Sequence, residues 1–132
     1  MSRCNLHAAQ LMALVLLIIS GCGITLAEEK AQMVRLSKLV IDESQLETYR
    51  AFLKEEVGDS MRLEPGVRAL YAVSEKDRPT HFTILEIYAD RAAYEAHIKS
   101  AHFLKYKTGT KDMVKSLELI DTVPLVADMK IK

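Results

Sequence analysis

The segment from Thr83 to Phe103 holds the side chains of this chain that are best suited to chemistry. A carboxylate, Glu86, lies inside an apolar run of β character, and two imidazoles, His97 and His102, follow a helix start at Asp90. Imidazole changes protonation near neutral pH, and a carboxylate in apolar surroundings can orient it or act as a base itself. One strand-to-helix unit therefore supplies acid, base and aromatic rings, which predicts a site for proton transfer.

The elements that must position these side chains follow from the apolar pattern after Met33, which predicts the order strand, helix, strand, strand, helix, strand. The strands are predicted at 34–41, 67–73, 81–88 and 114–123, with a Glu64-Pro65-Gly66 turn and a polar loop at 74–79 between them.

Three polar residues predict where the helices begin. Asp42 and Gln45 have the spacing of a capping box, and the helix after them carries one apolar stripe. Asp90 is predicted to cap the next helix and Ser100 a second short one that runs through Tyr106. The stripe of the first helix consists of Leu46, Tyr49, Leu53 and Val57.

This order is the split β-α-β topology of ferredoxin-like folds, an α+β class with an antiparallel sheet and helices on one face. The third strand is apolar on both faces, with Phe82, Ile84 and Tyr88 on one side and Leu85 and Ile87 on the other. Helices cover only one of these faces. We therefore expect a second copy of the chain on the other face, as an isologous homodimer.

Composition indicates one ordinary globular domain. The chain has 132 residues, of which 49% are hydrophobic and 27% charged, and its formal net charge is +0. Positive and negative side chains alternate along the sequence, so no basic stripe is present and nucleic acid is not an expected partner.

Residues 1–27 resemble an export signal, and the domain is predicted at 28–132. The apolar run 11–19 follows Arg3, and Ile19-Ser20-Gly21-Cys22 resembles a lipobox, in which Cys22 is lipidated. A small-residue cleavage site at 25–27 would instead release a soluble periplasmic or secreted domain. We expect a location in the cell envelope or outside it, with membrane attachment only through the lipid. A membrane-spanning helix that is not cleaved is the least favoured interpretation of residues 11–27, because the polar residues among them make the segment less apolar than a spanning helix needs to be.

Three sequence elements together resemble the antibiotic biosynthesis monooxygenase family, of the quinol monooxygenase type. They are Glu64-Pro65-Gly66-Val67, the strand Phe82 to Tyr88, and Ala93-Tyr94-Glu95-Ala96-His97 followed by His102-Phe103. The resemblance covers residues 33–126. It implies a dimeric α+β barrel and an enzyme that oxidises a quinol-like or other enolisable aromatic substrate with molecular oxygen, without metal or flavin.

Such an enzyme needs a base, and His97 or His102 is the expected one, with Glu86 as its orienting group or as an alternative base. Tyr71 and Tyr88 are expected to donate hydrogen bonds to the substrate, and Phe103 to form an aromatic wall. We expect no cofactor. His97 and His102 are five residues apart, and no recognisable ligand motif joins them to Glu86, so no metal is expected either.

Two other functions stay open. Autoinducer-processing relatives with a similar pattern are isomerases or lyases of small carbonyl metabolites, and a non-catalytic dimer could hold a hydrophobic small molecule in the same pocket. The chain has no Trp, and its only Asn is Asn5, so the pocket residues of haem-degrading and polyketide-oxidising members have no counterpart. Haem degradation is therefore disfavoured.

Overall fold

The structure is a computed structural model, and it describes residues 31–126. Its strands and α-helices are β1 (Met33–Ile41), α1 (Leu46–Leu63), β2 (Val67–Ser74), β3 (His81–Tyr88), α2 (Arg91–His97), α3 (Ala101–Thr110) and β4 (Val114–Thr122). The export segment with Cys22 lies outside the described residues and stays a prediction. Within 31–126, no helix combines the length and the apolar composition needed to cross a bilayer.

The four strands form one antiparallel sheet in the order β2-β3-β1-β4, which confirms the predicted ferredoxin-like α+β fold. Ser37 in the central strand β1 pairs with Ile84 of β3 and Leu119 of β4. Since side chains alternate along a strand, this register fixes which residues of neighbouring strands share a face.

The core lies between the sheet and α1. Tyr49 and Leu53 of the predicted helical stripe are buried against Ile41, Phe82 and Ile84. The rings of Tyr49 and Phe82 meet edge to face, with centroids 5.1 Å apart, a preferred geometry for aromatic pairs. Burial of this stripe, more than helix propensity, holds α1 on the sheet.

The helix starts agree with the sequence in two cases and differ in one. Asp90 and Ser100 accept hydrogen bonds from the backbone N–H groups of Ala93 and Phe103, as predicted for N-caps. Asp42 instead caps a short 3-10 turn at 43–45, and α1 begins after it. A hydrogen bond from Ser44, with a further contribution from Lys115, lowers the pKa of Asp42 to about 2.

Helix α3 runs to Thr110, four residues past the predicted end. Gly109 lets α3 approach α1 closely, since a Cβ there would come within 2.5 Å of the Phe52 ring. Packing against α1 thus accounts for the part of α3 beyond Tyr106, where the sequence predicts that the helix ends.

The face of the sheet opposite the helices carries Tyr71 and Val73, which are exposed, and the half-buried Leu85 and Ile87. None of the described residues forms a layer over it. The predicted bare apolar face is therefore present in the single chain, although the chain alone does not show dimerisation.

Replacing Gly66 by Ala is expected to destabilise the fold by about 1–3 kcal/mol, because the added Cβ would lie 2.6 Å from the Ala93 Cβ and push α2 away from the turn. Gly58 is the matched control. It lies inside α1 with nothing within 4 Å of an added Cβ, so Gly58→Ala should stabilise the fold by about 0.5–1 kcal/mol. Urea unfolding of both variants measures the difference, and equal effects would contradict the packing argument.

Candidate functional site

A cavity of about 540 Å³ lies between the sheet and the helices. Leu39, Leu53 and Ile84 form part of its apolar wall, and Glu86 and His97 bring polar groups to it. The volume lies within the range of pockets that hold small organic ligands, and mostly apolar walls with a few placed polar groups are typical of such pockets.

Glu86 is held in place by two hydroxyl groups. Ser37 Oγ donates a short hydrogen bond to Glu86 Oε1, and the Tyr88 hydroxyl donates to Glu86 Oε2 at 2.9 Å. Burial, with the charge of Glu86 and the hydrogen bond to it, raises the pKa of Tyr88, so the phenol keeps its proton. The Tyr88 hydroxyl, expected to donate to a substrate, donates to Glu86 instead.

His97 is the last residue of α2 and is 3% exposed. Its ring packs against the rings of Phe103 and Tyr88, with centroids 4.9 Å and 5.4 Å away. Its Nδ1 lies 2.9 Å from Glu64 Oε1, and its Nε2 lies 3.5 Å from Glu56 Oε1, which is long for a hydrogen bond. One nitrogen of the ring is therefore firmly bound and the other is not.

Glu64, in the turn after α1, joins the two imidazoles. Its Oε1 is also 2.5 Å from His102 Nε2. Burial alone would raise the pKa of Glu64, but the hydrogen bonds and charges of His97 and His102 outweigh it and the pKa is lowered. An ionised carboxylate only accepts hydrogen bonds, so His97 Nδ1 and His102 Nε2 carry the hydrogens. In a neutral His97, Nε2 is then free to accept a proton.

Glu56 is a buried carboxylate beside His97. It lies on α1 and accepts a hydrogen bond from Ser60 Oγ at 2.8 Å. Burial raises the pKa of Glu56, and this outweighs the hydrogen bond from Ser60 and the attraction of His97. A proton on His97 would lie between the carboxylate of Glu64 and the carboxyl group of Glu56, which stabilises that proton by charge only when it is ionised.

His102 does not line the cavity. It lines a separate groove of about 290 Å³ between α1 and α3, and among the described residues only Glu56 and Tyr106 line both spaces. The two imidazoles thus meet through Glu64, whereas sequence reasoning connected them with Glu86.

Arg35 and Tyr94 form a second polar pair at the cavity wall. The buried Arg35 guanidinium donates to Asp121 Oδ1 at 2.8 Å from Nε and to the Tyr94 hydroxyl at 2.8 Å from Nη1. Because the Tyr94 oxygen accepts from a cation, its own O–H remains available to donate. Tyr94 is therefore the phenol best placed to bind an oxygen atom of a ligand.

The two remaining predicted residues, Phe103 and Tyr71, lie on opposite sides of the sheet. Phe103 lines the cavity, as an aromatic wall would. Tyr71 is 69% exposed on the opposite face, since it alternates with the cavity-lining Leu70 along β2. The structure therefore does not bring Tyr71 to the cavity.

Sequence reasoning gave no site role to Arg35, Glu56, Glu64 or Tyr94, although Glu64 and Tyr94 stand in the motifs that resemble the family. One signal was available for Glu56, which lies three residues after Leu53 and hence on the buried stripe of α1. The other missed residues act through partners distant in the sequence, which no local pattern reveals.

The fold and cavity define a class: a ferredoxin-like α+β domain with a small-molecule pocket between its sheet and helices. The model of the antibiotic biosynthesis monooxygenase family matches residues 33–109, and the chain belongs to that family. This confirms the resemblance seen in the sequence. A comparison with curated proteins finds no match.

Solved structures agree with this family. One of them is a Bacteroides thetaiotaomicron protein that is described as an antibiotic biosynthesis monooxygenase. It is 63% identical to this chain, with a TM-score of 0.76 over 77% of this chain and 97% of that one. A Lactobacillus acidophilus protein named as a monooxygenase is 31% identical, with a TM-score of 0.68 over 72% of this chain and 47% of that one. A Nitrosomonas europaea protein, 22% identical over 73% and 92% of the two chains with a TM-score of 0.68, shares the fold.

Proposed function

We propose that this protein is a monooxygenase that oxidises a small quinol-like or other enolisable aromatic substrate with molecular oxygen, without metal or flavin. The observation that carries the proposal is the cavity of about 540 Å³, which His97, Glu86 and Tyr94 line together with apolar side chains. The apolar side chains of such a cavity can pack against a flat aromatic ring while a proton leaves it.

In the first step His97 Nε2 takes a proton from the substrate hydroxyl. Glu64 fixes the ring in the required tautomer through Nδ1, and Glu56, 3.5 Å from Nε2, stabilises the imidazolium that forms. The Tyr94 hydroxyl, polarised by Arg35, donates a hydrogen bond to the anionic oxygen of the substrate.

In the second step the substrate anion passes one electron to oxygen, and the resulting radicals combine into a carbon–oxygen bond. The peroxide anion takes back the proton held by His97. Loss of water from the hydroperoxide then leaves a carbonyl group on the carbon that was attacked. The reaction converts a CH₂ group of the keto tautomer and O₂ into C=O and H₂O, so atoms and electrons balance without another reductant.

A homodimer is part of the proposal. The exposed Tyr71 and Val73 and the half-buried Leu85 and Ile87 form the face on which a second copy would pack. Sedimentation equilibrium at micromolar concentration should give the dimer mass. A monomer under those conditions would remove this part of the proposal.

The test of the function is oxygen uptake by the purified, chelator-treated protein with a panel of benzene- and naphthalene-diols. We expect one O₂ consumed for each quinone product, one ¹⁸O atom from ¹⁸O₂ in that product, and no hydrogen peroxide. Turnover that persists without oxygen would instead assign an isomerase or lyase. Tight binding of the panel without any turnover would assign a binding protein.

A further inference from the structure

Glu64, His97 and His102 come from three segments, the turn after α1, the end of α2 and the first turn of α3. One ligand-type atom from each lies within 4.8 Å of the other two. We propose that these three residues form a binding site for a divalent transition-metal ion, with Glu64 Oε1, His97 Nδ1 and His102 Nε2 as its ligands. This goes beyond the proposed function, which uses no metal.

The donor set indicates the kind of metal. Two imidazoles and one carboxylate suit Zn²⁺, Fe²⁺ or Cu²⁺, whereas Mg²⁺ and Ca²⁺ prefer oxygen ligands alone. Sequence reasoning considered a set of this kind with Glu86 as the carboxylate. In the structure, the carboxylate beside both imidazole rings is that of Glu64 and not that of Glu86.

The distances require only a small adjustment. Bonds of about 2.0–2.2 Å in a tetrahedral site place ligand atoms roughly 3.3–3.6 Å apart. Glu64 Oε1 now lies 2.9 Å and 2.5 Å from the two nitrogens, so these two separations must open by about 1 Å or less. The two nitrogens lie within 4.8 Å of each other, so they must approach by about 1.5 Å at most. Glu64 follows the end of α1, and its side chain is 15% exposed.

The surroundings of His97 are those of a metal ligand. When Nδ1 binds a metal, Nε2 carries the hydrogen and can donate it to Glu56 Oε1, now 3.5 Å away, and Ser60 in turn holds Glu56. Metal-bound histidines regularly donate their second N–H to a carboxylate in this way.

His102 provides a route for the ion and for its remaining ligand. Its side chain is 12% exposed and lines the groove between α1 and α3, on the side away from the cavity. Water can therefore complete the coordination from the groove. If the proposed function also holds, zinc inhibits turnover, because a metal on Nδ1 leaves His97 Nε2 protonated and unable to act as base.

The test is isothermal titration of the chelator-dialysed full chain with ZnCl₂. We expect about one Zn²⁺ per chain, and binding weakened about tenfold or more in Glu64→Gln and in His102→Gln. His81→Gln is the matched control, because His81 lies outside the cluster, and it should bind as the unchanged protein does. Binding needs no substrate, so its result is independent of the monooxygenase proposal.

A second measurement uses the unchanged protein alone, in case a variant does not fold. In ¹⁵N spectra of the imidazoles, Zn²⁺ should shift His97 Nδ1 and His102 Nε2 and leave His81 in place. Zinc that binds without shifting these two nitrogens, or that binds Glu64→Gln and His102→Gln with unchanged affinity, overturns the proposal, as does the absence of binding.

Discussion

Replacing His97 by Gln is expected to lower the turnover of the proposed oxidation by about 10²- to 10⁴-fold, the usual contribution of a general base. Glutamine can still donate a hydrogen bond to Glu64, but it offers no nitrogen that accepts a proton at neutral pH. Because His97 contacts Phe103 and Tyr88 by its ring, Gln also removes some packing. Steady-state oxygen uptake measures the effect, and circular dichroism confirms that the variant is folded.

His81→Gln is the control for this substitution. His81 begins β3 at the far end from Tyr88, and its ring contacts Thr80 and not the cavity. We expect unchanged turnover in that variant. A folded His97→Gln protein with turnover within about threefold of the unchanged protein, far less than a general base contributes, would exclude His97 as the base.

The second large effect is expected from Glu64→Gln in metal-free protein. Charge-assisted hydrogen bonds contribute about 1.5–3 kcal/mol, and the substitution weakens the two that Glu64 accepts from His97 and His102. We therefore expect a loss of that order in the free energy of unfolding at pH 7. Turnover should also fall, because the tautomer of His97 is no longer fixed.

The pH dependence of this loss follows from the direction of the pKa shift. The pKa of Glu64 is lower in the folded chain than the ordinary value of about 4.3 in the unfolded chain. The stabilisation is therefore complete above the unfolded-state value and is lost as the pH falls through the folded-state value. Urea unfolding of both proteins from pH 7 downward should show their free energies converging in acid.

Glu95→Gln provides a surface comparison, since Glu95 and its partner Arg91 are both more than half exposed. Exposed ion pairs contribute about 0–1 kcal/mol, so a small effect is expected. A difference between Glu64→Gln and the unchanged protein that stays constant with pH would show that the Glu64 charge does not carry the stabilisation.

Local patterns in the sequence determined the helix and strand framework. β3 has the predicted bounds 81–88, and Glu86 shares its inward face with Phe82 and Ile84 because side chains alternate along a strand. Asp90 and Ser100 cap the predicted helices because a cap needs only a backbone N–H a few residues away. Such signals involve neighbours in the chain and can be read without the fold.

The sequence also placed Glu86 and His97 near one another, and both line the cavity. It placed His102 there as well, but the break between α2 and α3 turns that ring toward the groove. The distinction depends on the angle between two short helices, which their packing against α1 and the sheet sets and which no residue spacing encodes.

What the sequence alone determined is the order of elements, the alternation of side chains between the two faces of β3 and the family. Only the tertiary structure decided which groups act together: Glu64 lies 33 residues from His97 and 38 from His102, and Arg35 lies 86 residues from Asp121. Periodicity reports the direction of a side chain relative to its own element. Contacts between distant elements depend on strand register and helix packing, which the whole chain fixes together.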